Sequence, residues 1–292
     1  MADVTLLFGI GATKAGTSWL QYYLDRHPEV HLWTHKELHY FDALDRGQVM
    51  EQIDGLCEKR MGLRAKMRQA EGAAREKLRF EVAEIDRYLG LLAQGVERPR
   101  AYVSFLKKGR KGARVVGDIT PAYALLSEDR LRKMAGLGPV TKFIYLLRDP
   151  IDRLWSNIRM MAGWKGGSDK DIADRANWIF DRWTRGEERA LAERCDYEGP
   201  LSRIRAAIPE GDRFLGFYEE LFRAETVSRL CAFLGIKDHA APLDTRVHQS
   251  APIEMEPGRR AQAAKALAPQ YDHVHRLMGR IPAGWHAAEV GV

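Results

Sequence analysis

Residues Gly11 to Ser18 read Gly-Ala-Thr-Lys-Ala-Gly-Thr-Ser and stand between the apolar run Val4 to Ile10 and the segment Trp19-Leu20-Gln21-Tyr22-Tyr23-Leu24. A buried strand thus turns through a glycine-rich loop into a helix, which presents backbone N–H groups, the hydroxyls of Thr17 and Ser18 and a helix N-terminus to an anion. In the nucleoside-triphosphate loop G-x-x-x-x-G-K-[ST], lysine follows the second glycine and reaches the terminal phosphates. Thr17 occupies that position, and the only lysine, Lys14, lies inside the loop. The segment reads as a phosphate cradle for a ligand other than a nucleoside triphosphate.

The rest of the chain supplies a sheet for that loop. Short apolar or β-branched runs at Val4–Ile10, Val30–Trp33, Val115–Asp118, Thr141–Leu147 and Arg213–Tyr218 read as strands. Helical segments lie between them, at about Thr17 to Arg26 before Pro28, and at Ile151 to Met161 after Pro150, whose missing N–H suits a helix start. A stripe of Val227, Leu230, Cys231 and Leu234 stops at Gly235. Alternation of strand and helix predicts an α/β fold with a central parallel sheet flanked by helices. Residues His35 to Asp42 show no helical period and read as a loop at the sheet edge, while Thr120-Pro121-Ala122-Tyr123 turns into a further helix. Residues 50–95 form a charged, alanine-rich helical insertion with apolar positions at Val82, Ile85, Leu89 and Leu92, expected first to cover the domain or mediate an oligomer, with direct substrate contact the alternative. Acceptor specificity is expected around Tyr40 to Asp42, in the Met50 to Leu92 insertion and in the Trp164 to Trp183 segment.

At 292 residues and 45% hydrophobic composition, one domain over residues 1–292 is expected. Lysine and arginine number 46 against 40 acidic residues, a net charge of +6, which suits an anionic ligand. The basic residues are dispersed, with small clusters at Lys107-Lys108, Arg110-Lys111 and Arg259-Arg260, so no nucleic-acid partner is expected. Cys57, Cys195 and Cys231 are odd in number and far apart, which suggests neither a disulfide framework nor a zinc site. No apolar run approaches the ~18 residues of a membrane span, and Met1-Ala2-Asp3 lacks the basic region of a secretory signal. A cytoplasmic location is expected.

In parallel α/β sheets, ligands collect outside the carboxyl ends of the strands. The first strong strand ends in the Lys14 loop and the second in Arg148, with Ser156 eight residues on in the next helix. Arginine at a strand end can grip a phosphate bidentately, so two phosphate sites are implied.

These residues resemble the sulfotransferases that use 3′-phosphoadenosine-5′-phosphosulfate. Their 5′-phosphosulfate loop is similar to residues Gly11 to Leu20, and their 3′-phosphate motif R-D-P-x-x-R-x-x-S is matched by Arg148-Asp149-Pro150-Ile151-Asp152-Arg153-Leu154-Trp155-Ser156. Lys36-Glu37-Leu38-His39-Tyr40-Phe41-Asp42 resembles the E-x-H-F-F-D stretch of the branch that includes heparan sulfate sulfotransferases and bacterial relatives, and Thr120-Pro121-Ala122-Tyr123 its T-P-A-Y. The resemblance covers roughly residues 4 to 42 and 115 to 235. It implies the P-loop-like sulfotransferase fold and transfer of a sulfuryl group to an acceptor hydroxyl, on a carbohydrate, lipid or small-molecule alcohol, leaving 3′-phosphoadenosine-5′-phosphate. Two departures stand out. Ile119 occupies the place where a lysine often precedes T-P-A-Y, and the late K-G-R loop has its nearest counterpart in Pro257-Gly258-Arg259-Arg260.

Carried over residue by residue, the resemblance implies that Glu37 is the general base, with partial burial raising its pKa. Lys14 and the N–H groups of Ala15, Gly16, Thr17 and Ser18 would neutralise charge at the bridging oxygen, and the Thr17 and Ser18 hydroxyls would hold the 5′-phosphate. Arg148 and Ser156 would bind the 3′-phosphate, Trp19 and Tyr218 would flank the adenine, and Arg259 would contact the nucleotide. His39 would orient the acceptor or assist proton transfer. Histidines at 27, 31, 35 and 39 recur every four residues, but Pro28 breaks any single helix there, and no metal is required. A homo-oligomer stays open. So do two other functions. A nucleotide-dependent kinase would need lysine at position 17 and a Mg²⁺-binding aspartate at a strand end, and a non-catalytic nucleotide-binding module would need no base.

Overall fold

The computed structural model describes residues 4–245, 247, 252–286 and 291. Five strands, β1 (Thr5–Gly11), β2 (Val30–Leu32), β3 (Val115–Ile119), β4 (Thr141–Leu147) and β5 (Arg213–Phe217), form one all-parallel sheet in the order β2-β3-β1-β4-β5. β1 is central because it is apolar from Leu6 onward: Leu6, Leu7, Phe8 and Ile10 are fully buried between the helical layers. Phe8 meets the rings of Phe143 on one neighbouring strand at 5.6 Å and Phe41 at 6.1 Å, and burial of such a side chain contributes about 1.5–3 kcal/mol. Close β1–β3 pairing leaves no space at Gly117, where a Cβ would lie 2.4 Å from the Leu7 carbonyl oxygen.

The helices follow in chain order. After β1 comes α1 (Thr17–Asp25); after β2 come α2 (Tyr40–Asp45), the insertion helices α3 (Val49–Gln69) and α4 (Gly72–Leu92), and α5 (Pro99–Lys107). β3 leads through a 3₁₀ turn at Pro121–Leu125 to α6 (Glu128–Ala135). Between β4 and β5 lie α7 (Pro150–Gly163), α8 (Asp169–Thr184), α9 (Arg189–Cys195) and α10 (Glu198–Ala207); α11 (Ala224–Leu234) and α12 (Pro257–Met278) complete the cover. Gly235 closes α11 at φ +68°, the left-handed position that glycine accepts without a Cβ clash. No described helix is long and apolar enough to cross a membrane.

Two local expectations are corrected. The stretch read as loop up to Asp42 becomes helix α2 from Tyr40, too short at six residues to display a period. The residues after Thr120 make a single 3₁₀ turn, with the α-helix starting only at Glu128, capped by the Ser127 side chain.

The chain leaves β1 toward β3 and β2, and leaves β4 the other way, toward β5. A crevice therefore opens between the carboxyl ends of β1 and β4, the switch point at which such sheets take ligands. Its other wall is fixed by Asp118 at the end of β3. This buried carboxylate accepts from the hydroxyls of Tyr102 (2.7 Å), Tyr123 (2.7 Å) and Thr120 (2.8 Å), and from the Leu38 N–H at 3.4 Å. The same hydroxyls carry the contact onward: Tyr40 N–H donates to the Tyr123 oxygen, and His39 N–H to Thr120 Oγ1. The Leu38 carbonyl accepts from Tyr88 and Gln52. The 38–40 backbone is thus pinned from β3, the 3₁₀ turn, α3 and α4, which allows Glu37 and His39 to keep φ values of +60° and +54° that ordinary residues avoid.

Replacing Asp118 by alanine strands two tyrosine hydroxyls and one threonine hydroxyl in a dry core. The expected cost is about 3–5 kcal/mol, read as a lower urea midpoint with an unchanged slope.

Candidate functional site

The Gly11–Ser18 loop wraps the end of β1, and Lys14 at φ +66° and Gly16 at φ +88° turn it back so that α1 starts without any side-chain cap. The first N–H groups of α1 are left for a ligand or water. Glycine is obligatory at 16, since a Cβ there would fall 2.7 Å from the Tyr218 ring.

Arg148 reaches across the crevice. Its Nη1 donates to the Lys14 carbonyl at 3.1 Å, its guanidinium lies 4.7 Å from the centre of the Tyr218 ring, and its buried Nε has no hydrogen-bond partner. Asp149 explains why arginine is held there. Its carboxylate caps α7 by accepting from the Ile151 and Asp152 N–H groups and also accepts from Tyr271 Oη and His286 N–H at 2.7 Å each. Asp149, Asp152 and His286 bring potential ligand atoms within 4.8 Å of one another, but both Asp149 oxygens are already committed to this structural task. Ser156, buried on α7, follows two turns beyond Arg148. Arg153, also buried, stacks on Tyr197 at 4.1 Å, while the Tyr197 hydroxyl donates to the Arg148 carbonyl.

Positive charge accumulates around Lys14. Among the described residues its ammonium has one hydrogen-bond contact, the Met160 sulfur at 3.7 Å, and its pKa is lowered by burial first and then by Arg148, Arg159 and Lys36, with Glu37 pulling the other way. Arg159 stands one turn beyond Ser156 on α7. Sequence reading missed it, although the i, i+3 spacing from Ser156 puts both on one helix face.

Facing Lys14 is a relay of charges. Lys36 Nζ donates to Ser18 Oγ at 2.9 Å and pairs with Glu37 Oε1 at 2.9 Å; Glu37 Oε2 lies 3.7 Å from His39 Nε2; His39 Nδ1 meets Asp42 Oδ2 at 2.7 Å. Burial by itself pushes the Glu37 carboxyl up, but His39 and Lys36 outweigh it and hold it down at about 2, the reverse of the rise expected from sequence. Burial likewise works against His39, yet Asp42 and Glu37 push it up to about 10. Glu37 is therefore an anion and His39 a cation at neutral pH, which leaves the carboxylate as the proton acceptor of this pair. The Glu37 side chain keeps 41% of its surface exposed and opens onto a 390 Å³ cavity lined by His35, Lys36, Glu37, His39, Gln52, Gly55 and Leu56. Three of these belong to α3, so the insertion forms a wall of the cavity as well as covering the sheet.

Two expected nucleotide contacts lie elsewhere. Trp19 is buried on the inner face of α1, stacked on Tyr23 at 5.6 Å with Nε1 donating to the Pro242 carbonyl, so its ring supports the loop from behind. Arg259, at the start of α12, is taken up by Asp181 at 3.2 Å and by Glu256. Tyr218, by contrast, lies against both Gly16 and Arg148. His27, His31 and His35 fall on separate elements with separate partners: His27 meets the Lys237 carbonyl, His31 the Lys108 carbonyl, and His35 accepts from Lys59 at 2.6 Å.

The model of the sulfotransferase family matches residues 7–240. The chain belongs to that family. A crystal structure of a sulfotransferase from Alicyclobacillus acidocaldarius aligns over 98% of this chain and 99% of its own, with a TM-score of 0.66 at 19% identity, and it has the same overall fold. The sulfotransferase domain of the Synechococcus PCC 7002 olefin synthase aligns over 91% and 94% of the two chains, at TM-score 0.46 and 14% identity. Among curated protein sequences there is no match.

The His39–Asp42 pair has a measurable signature. With its pKa raised in the folded state, His39 contributes stability fully below the ordinary imidazole value near 6.5, and loses it as pH climbs toward about 10. His39 ring resonances in the NMR spectrum are expected to stay those of imidazolium at pH 8, and to titrate closer to neutrality in Asp42→Asn.

Proposed function

We propose that this sulfotransferase uses 3′-phosphoadenosine-5′-phosphosulfate as donor and sulfonates an acceptor hydroxyl with Glu37 as general base. The observation that carries the reading is the crowding of Lys14, Lys36, Arg148 and Arg159 beside one uncapped helix N-terminus, with Glu37 paired to Lys36 and Asp152 standing 3.9 Å from Arg148 as the carboxylates that partly offset it. A ligand with two anionic ends, one at the Gly11–Ser18 loop and one at Arg148, relieves that repulsion. The buried Arg148 Nε without a partner and the nearby Ser156 hydroxyl suit the 3′-phosphate, and the Tyr218 face suits the base between the two.

In the transfer, the acceptor oxygen attacks sulfur in line, the bond from sulfur to the 5′-phosphate oxygen breaks, and its electron pair leaves with 3′-phosphoadenosine-5′-phosphate. The acceptor proton passes to Glu37. Lys14 and the loop N–H groups offset charge on the departing phosphate oxygen, the kind of fixed electrostatic help that supplies much of an enzyme's acceleration. His39 cannot serve as base while Asp42 and Glu37 keep it protonated; it orients the carboxylate. The 390 Å³ cavity at Glu37 has His35, His39 and Gln52 on its wall, side chains that can hydrogen-bond a hydroxylated acceptor such as a saccharide. Thr17 in place of the triphosphate-binding lysine counts against a kinase.

Calorimetric titration with 3′-phosphoadenosine-5′-phosphate, alongside ATP with Mg²⁺, tests the donor. Metal-independent binding of the bisphosphate is expected, weakened about 10- to 100-fold in Arg148→Ala, as loss of a charged hydrogen-bonding group implies. Preference for Mg-ATP would overturn the assignment. Glu37→Gln is expected to bind the bisphosphate as the parent does while turnover with a competent acceptor falls by about 10²–10⁴-fold; retained turnover would move the base elsewhere.

A further inference from the structure

Among the described residues, Lys36 is the side chain that bridges both halves of the site. Its ammonium stands 2.9 Å from Ser18 Oγ, on the donor loop, and 2.9 Å from Glu37 Oε1, on the acceptor side. Its position is set rather than accidental. Leu38, directly after the pair, is pinned through its N–H to Asp118 and through its carbonyl to Tyr88 and Gln52, and Glu37 sits at φ +60° to present its carboxylate toward Lys36. Ile119, at the end of β3, is apolar and buried, so that strand contributes no cation to this wall.

We propose that Lys36 is a catalytic residue that couples the donor to the base: it restrains the Glu37 carboxylate while the loop is free, and turns its ammonium to the sulfuryl group when the donor binds. This rests on the donor and base assignments made above. A sulfuryl group held at Ser18 offers Lys36 an anionic partner within the same reach as Glu37. As the ammonium turns to it, Glu37 loses one of its two cations and becomes a better proton acceptor at the moment when a proton must be taken. The groups facing Glu37 are Lys36, His35 and His39 of its own loop, with Asp42 of α2 behind His39, Lys14 across the crevice, and Lys59 of α3 held on His35. Of these, Lys36 alone is hydrogen-bonded to the donor loop among the described contacts. No co-reactant enters: the proton moves from acceptor oxygen to Glu37, and Lys36 changes partner without changing protonation.

The test is a pH series of kcat and kcat/KM for Lys36→Gln and Lys36→Arg, with bisphosphate titrations and thermal midpoints measured on the same preparations. Lys36→Gln is expected to melt as the parent does, to lose about 10²–10³-fold in kcat, and to show the acid limb of kcat/KM displaced upward, because the free-enzyme carboxylate has lost its cation. Lys36→Arg restores part of kcat and returns the limb toward the parent position. Parent-like kcat and an unmoved acid limb in Lys36→Gln overturn the proposal. So does a fall in kcat with an unmoved limb, which makes Lys36 a donor contact only. If Lys36→Gln melts early, Lys36→Arg alone decides, since a coupling cation predicts partial activity with a parent-like limb, and an inactive but stable arginine variant counts against it. Failure of the parent to bind the bisphosphate defeats the donor assignment instead, and is read before any variant is compared.

Discussion

Repulsion among like charges governs this site. Lys14 is brought out of water beside Arg148, Arg159 and Lys36, and each of those cations lowers its pKa further. Side-chain packing does not remove that cost, and Glu37 is the carboxylate that pulls the other way. A protein that keeps such an arrangement holds it for an anion, and the sheet is built to place it. β1 and β4 deliver the Lys14 loop and Arg148 to the same crevice because the chain leaves them in opposite directions.

The second constraint is polar and lies in the core. Asp118 ends β3 with a carboxylate that has left water, stabilised by three hydroxyls and one N–H. Those same groups hold the backbone from Leu38 to Tyr40. The resemblance at Thr120-Pro121-Ala122-Tyr123 thereby gains a physical meaning: Thr120 and Tyr123 are the links through which the sheet positions Glu37 beside the Gly11–Ser18 loop, and the proline fixes the 3₁₀ turn that carries them.

All five strands were legible in the sequence, because each is a short apolar run that pairs in a fully covered sheet. The loop at Lys14 and the Arg148 motif were legible because their chemistry is local in sequence. What escaped depends on contacts between distant segments. The sign of the Glu37 shift follows from the neighbouring Lys36 and His39 charges outweighing burial, and no burial argument from sequence contains them. Trp19 read as an adenine partner because it adjoins the loop, but α1 turns it toward Tyr23 and Pro242. Arg259 read as a nucleotide contact by its neighbourhood of glycine and arginine, whereas carboxylates on α8 and at Glu256 claim it. The role of α3 as a cavity wall depends on how the helical hairpin docks, which helical periodicity leaves open.

The most direct test of the electrostatic account is the pKa of the Lys14 ammonium, followed by NMR on protein labelled at lysine side chains, with Lys14→Arg used for assignment. The account requires a value below that of an ordinary lysine in the free protein, and a rise with proton uptake when 3′-phosphoadenosine-5′-phosphate is added. An ordinary value in the free protein, or no movement on addition of saturating bisphosphate, would contradict it.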